Sequence, residues 1–196
     1  MKKSILIVLL VAFLAVAVGV SGCLDNNDPA NNSTKNNTSN NTTNNTTNVT
    51  FDENIVKVSP VPTGFELLAV KSNVTADTER IDGLTDALVG YSATYQYNNS
   101  SLDSVYLFAF QCNNSADAAG YVQKMIDAHN TKYPNSSNVT TVQVNNHNAT
   151  LLTTNTQSPS GNESYELAWA SNNYLIVVNG PAAYNLISAI ADASKL

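Results

Sequence analysis

The chain is 196 residues long and 43% hydrophobic, with nine Lys/Arg against 15 Asp/Glu and a formal net charge of −6. No basic cluster occurs along it, which makes nucleic acid and anionic lipid surfaces poor partners. Residues 51–196 hold six Lys/Arg and 13 Asp/Glu and suffice for one domain with its own core.

At the start, Lys2 and Lys3 precede an apolar run over residues 5–20, which Val20-Ser21-Gly22-Cys23 closes. This is the layout of a lipoprotein signal peptide. The lysines stay on the cytoplasmic side, the run enters the membrane, and Ser21 and Gly22 admit a peptidase that leaves a lipidated Cys23 as the new N-terminus. A run of 16 residues is short of the about 20 that a spanning helix needs, so cleavage is preferred over a retained anchor. Either way the positive-inside rule sends the rest of the chain outward. The expected organisation is therefore a signal peptide over residues 1–22, a lipidated cysteine and disordered stalk over 23–50, and a single globular domain over 51–196.

Residues 26–50 contain 11 Asn and 7 Thr, and such a tract has too little apolar surface to offset its ordering entropy. It reads as a flexible stalk. Several of its asparagines open N-x-[ST] triplets, and Asn31, Asn36, Asn40, Asn44 and Asn48 are candidate glycosylation acceptors. Asn73, Asn98, Asn113, Asn138 and Asn162 extend the set into the domain. A chain this rich in Asn, Ser and Thr also makes such triplets by chance, so the motif alone proves no modification.

In the domain, residues 64–70 follow Pro60 and Pro62 and read as an opening strand. Residues 89–97 alternate Tyr91, Ala93, Tyr95 and Tyr97 with Ser92, Thr94 and Gln96, the pattern of a one-sided strand. After a turn at 98–101, residues 104–112 are apolar on both faces, which places that strand centrally in its sheet. Ser115 is expected to cap a helix with the stripe Ala118, Val122, Met125, Ile126, His129 and Tyr133, ended by Pro134. Residues 140–144 and 149–154 pair about an Asn-rich turn, and 165–170 pair with 174–178 across Ser171-Asn172-Asn173. Gly180-Pro181 opens a last helix with Ala183, Ile187, Ile190, Ala191 and Ser194 inward. Residues 76–89 are ambiguous, with a short helix over 84–88 as one option. The order implies an α+β fold, an antiparallel sheet of about seven strands packed against two helices; a β-sandwich is the alternative.

The lipobox, the Asn/Thr tract, the stretch Gly90-Tyr91-Ser92-Ala93-Thr94-Tyr95 and the block Tyr165-Glu166-Leu167-Ala168-Trp169 resemble small surface lipoproteins of methanogenic archaea. That resemblance implies a cell-surface location and transfers no activity; only Cys23 carries over as a functional residue. The order of strands and helices is also similar to PsbP/Mog1-like domains, which implies a binding or assembly module at the level of fold.

Candidate chemistry is sparse. Cys112 precedes a helix N-terminus, where a thiol can be activated, and His129 or His147 would be its partner base; a buried apolar cysteine is the preferred reading. Two scattered histidines make no zinc site, Asp82 and Asp86 lack the spacing of a calcium loop, and Ser158-Pro159-Ser160-Gly161 lacks the glycines of a nucleophile elbow. Neither metal nor cofactor is expected, and no residue is assigned a catalytic role. Tyr91, Tyr95, Tyr97 and Trp169 form an aromatic set that would be an interaction surface for sugars or peptides if wet, and a core layer if buried, the core being the preferred reading of the set taken together. The expectation is a lipid-anchored, extracytoplasmic, non-catalytic module that meets the membrane through Cys23 and, beyond it, an envelope protein or glycan, with oligomeric state unspecified. A carrier holding an apolar ligand between sheet and helices comes second, and a Cys112 hydrolase third.

Overall fold

A computed structural model describes residues 51–84, 88–155 and 163–196. Cys23, the Asn/Thr tract and its acceptors, Asp86, the 158–161 loop and Asn162 lie outside the described residues.

Seven strands and two helices follow in the order β1 (Phe65–Thr75), β2 (Val89–Tyr97), β3 (Ser100–Gln111), α1 (Ser115–Lys132), β4 (Ser137–Val144), β5 (His147–Asn155), β6 (Glu163–Ser171), β7 (Tyr174–Gly180) and α2 (Tyr184–Ala193). A 3-10 turn, Glu53–Val56, precedes them. All strands form one antiparallel sheet in the order β1-β2-β3-β7-β6-β5-β4. Two meanders, β1 to β3 and β4 to β7, are joined edge to edge where β7 pairs with β3. The expected α+β architecture is the observed one, and β3, apolar on both faces, does sit inside the sheet.

Asparagine makes the hairpins. Asn98 and Asn99 between β2 and β3, Asn145 and Asn146 between β4 and β5, and Asn172 between β6 and β7 all have positive φ. A short carboxamide tolerates the left-handed geometry that a tight hairpin requires. At the head of α1 the cap is Asn114, one residue before the expected Ser115: its side-chain oxygen accepts from the Asp117 N–H at 2.9 Å, filling one of the orphan donors of the first turn.

The two helices cover opposite faces of the sheet. On one face Ile187, Ile190 and Ala191 of α2 share a core with Leu107, Leu167, Trp169, Ile176 and Val178, and Val56 and Val58 extend it over Ala93, Tyr95 and Val105. On the other face Ala118 and Met125 of α1 share a core with Phe108, Phe110, Ala168, Leu175 and Val177, continued by Val74, Ile81, Leu84 and Leu88 at the β1–β2 connection. Because period-2 alternation sends odd residues of β3 and even residues of β7 to α2, and even residues of β3 and odd residues of β7 to α1, both central strands are apolar over their paired centre. Each fully buried Leu, Ile or Phe stabilises by about 1.5–3 kcal/mol. Ala183, expected inward on α2, is exposed as its N-cap. Among the described residues no helix is long and apolar enough to cross a membrane.

Candidate functional site

The apolar layer under α1 stops abruptly toward one end of the sheet. Ala168 and Val177 face each other across β6 and β7, and one pair further on the same face carries Glu166 opposite Asn179. Leu152 of β5 flanks Glu166, and Tyr106 of β3 flanks Asn179. The next step brings Thr154 opposite Ser164. Over this polar floor stand His129 from the last turn of α1 and Tyr133, its C-cap, with Asp82 of the β1–β2 connection at the rim, enclosing a cleft of about 220 Å³. That is room for a molecule displacing about seven waters at about 30 Å³ each.

Gly180 closes the floor at the end of β7. Its φ is +147°, and a Cβ there would sit 2.2 Å from the Ser104 carbonyl oxygen, so only glycine lets the backbone turn away this close to β3.

Glu166 is the chemical centre of the cleft. Its carboxyl is pushed up to about 7, first by desolvation and further by Asp82, against the lowering effects of the Asn179 amide and of Lys132. The residue keeps some exposure to the cleft, but the carboxyl itself is walled by the sheet and by α1, and those walls decide its ionisation. The Asn179 Nδ2 donates to Oε2 at 2.8 Å, and Glu166 has no ion-pair partner among the described residues. The nearby cation is already engaged: Lys132 Nζ donates to both Asp82 oxygens at 2.9 and 2.7 Å and stands 5.2 Å from the Tyr133 ring centre. His129 is 5% exposed, with Nε2 3.2 Å from the Thr153 carbonyl oxygen and its ring 5.3 Å from that of Tyr133.

The residues singled out from sequence fare differently. Tyr95 and Trp169 are 0% and 1% exposed, which corrects the notion of an aromatic surface made of Tyr91, Tyr95, Tyr97 and Trp169. Tyr95 is buried because its hydroxyl is satisfied inside, accepting from the Val58 N–H and donating to the Val56 carbonyl, both at 2.7 Å. The Trp169 indole N–H likewise donates to the Leu196 carbonyl at 3.3 Å. Tyr91 and Tyr97 are half-buried, each with its ring edge-on to a phenylalanine: Tyr91 to Phe51 at 5.1 Å and Tyr97 to Phe65 at 5.2 Å.

Cys112 is buried, and burial pushes its thiol up, with Asp117 adding to the effect and the Leu175 backbone opposing it. Its sulfur lies 4.0 Å from the Phe110 carbonyl oxygen, and no histidine hydrogen-bonds it. A raised thiol is the reverse of an activated nucleophile. His147 opens β5 at a hairpin, and His129 belongs to the Glu166 cleft. Asp82 spends both oxygens on Lys132, and among the described residues no three His, Cys, Asp or Glu gather into a metal cage. Asn73, Asn98, Asn113 and Asn138 are exposed, as a glycan acceptor must be.

Sequence reading missed Glu166 and Asn179. The signal was present as a lone acid at an alternating position of the Tyr165–Trp169 block, but its meaning depends on a partner 13 residues away and on the helix above. No protein-family model matches the chain, and no curated protein matches it.

Proposed function

We propose that the protein is a membrane-anchored, extracytoplasmic binding module, held by a lipid on Cys23 and the 26–50 tract, and that its cleft takes a small polar ligand without transforming it. The observation that carries the reading is the cleft itself: a recess floored by Glu166, Asn179, Thr154 and Ser164 where the core under α1 ends. Convergent polar groups and a perturbed carboxyl in one recess mark it as a candidate binding site. Its lining is mainly polar, which argues against an apolar cargo in this cleft.

The test is an NMR screen of the full chain in detergent against small polar molecules of each charge. Saturable amide shifts centred on Thr154, Ser164, Glu166 and Asn179 are expected. Shifts scattered over the surface, or confined to the α2 face, would overturn the assignment of the site.

A further inference from the structure

We infer that the cleft is a site for a small organic cation bearing an ammonium group, which sits against the Glu166 carboxylate. This rests on the reading of the cleft as a binding site and adds the class of ligand.

The charges around Glu166 are few. From the β1–β2 connection Asp82 faces the cleft; from α1 come His129, Lys132 and Tyr133; from β6 itself Tyr165 lines one side. Lys132 is saturated by Asp82, so that pair contributes little net field. Tyr165 donates its hydroxyl to Glu163, outside the cleft. His129 turns its Nε2 to the Thr153 carbonyl, and what remains among the described residues is one carboxylate with a single neutral donor, the Asn179 amide, on one of its two oxygens. An anionic ligand would be repelled. A neutral ligand could hydrogen-bond there but would leave the carboxylate without a counter-charge in a partly dry recess, which is the costly arrangement. An ammonium supplies both the charge and up to three donors, and Glu166, Thr154 and Ser164 offer it oxygens. The acidic balance of residues 51–196, six basic against 13 acidic side chains, raises the local concentration of cations. A divalent metal is less well served, since it wants a cage of several oxygens at fixed distances.

Proton linkage gives the inference its signature. In the empty cleft the Glu166 carboxyl is half protonated at about pH 7. A cation prefers the ionised form, so its binding expels that proton and its affinity rises with pH until the carboxyl is fully ionised. Ionisation grows from roughly one-tenth to nine-tenths between about pH 6 and 8, so the affinity should rise about tenfold over that interval.

The experiment titrates the full chain in detergent with propylammonium, propanol and propionate, three probes of one size and three charges, read by amide shifts at Glu166, Asn179 and Thr154. Saturation by propylammonium, with about tenfold tighter binding at about pH 8 than at about pH 6, is expected, and E166Q should abolish that preference. The pH dependence is read on the unaltered chain, so the test stands even if the variant fails to fold. Equal binding of propanol, or a pH-independent affinity for propylammonium, would overturn the cation while leaving a polar binding site in place. Silence from all three probes would overturn the cation as well, and the binding reading would fall only with a silent broad screen.

Discussion

Replacing Glu166 by Gln should make the protein more stable at pH 8 and leave it nearly unchanged at pH 4. The carboxyl rises from 4.5 to about 7 on folding, chiefly through desolvation. Below about 4.5 both states carry the proton, and the group is neutral toward stability. Between 4.5 and about 7 the folded state holds a proton that the unfolded chain has lost, so stability falls as pH rises; above about 7 the whole cost is present. At 1.36 kcal/mol per pH unit that cost is about 3 kcal/mol at most. Water at the cleft mouth trims it, so about 1–3 kcal/mol is the expected gain for Glu166→Gln at high pH. The glutamine keeps an oxygen for the Asn179 donor, so packing is conserved. Urea melts of both proteins between about pH 4 and 8 measure the difference directly, and other titrating groups cancel in the comparison. A gap that does not change with pH, or a variant less stable at pH 8, would show that the carboxyl is not desolvated by the cleft and would refute the reasoning.

Tyr95→Phe removes the hydroxyl that joins β2 to residues 56–58. It should cost about 1–3 kcal/mol for each backbone group left unsatisfied, with hydrogen exchange accelerated at Val58; unchanged exchange there would contradict this. Cys112→Ser should cost about 1–3 kcal/mol by placing a hydroxyl in a buried apolar site, and native Cys112 should react slowly with thiol reagents at neutral pH; fast labelling with unaltered stability would bring back a reactive thiolate. Cys23→Ala should end incorporation of labelled lipid, and persistent labelling of the variant would refute the assignment of the lipid acceptor.

Elements were legible in the sequence wherever one face dictated the pattern. Residues 89–97 announce β2 by alternation, and the asparagines at 98, 99, 145, 146 and 172 mark turns because positive φ is what they are suited for. The second half of β1 escaped notice for a physical reason: irregularities between Leu67 and Ala69 and between Ser72 and Val74 shift its phase, and an edge strand with wet faces has no apolar alternation to display. The fate of Tyr95 depended on the end of the 3-10 turn at Glu53–Val56 and the residues just after it, where the Val56 carbonyl and the Val58 N–H meet its hydroxyl. The site was least legible of all. Glu166 reads as an interruption in an apolar block until β7 places Asn179 beside it and α1 roofs both, and those are contacts between distant parts of the chain that composition and spacing do not encode.

The position of Phe51 has a practical corollary. Its ring stacks on Tyr174 at 5.3 Å, at the start of β7, whereas Asn179 lies five residues further along the same strand, about 17 Å away at strand rise, and on the opposite face of the sheet. A domain of residues 51–196 coupled to a sensor chip at Phe51 is therefore held at one end of β7, with Asn179 at the other. Coupling at that end leaves the cleft clear, so a domain immobilised through Phe51 should report the same ligand affinity as the same domain free in solution.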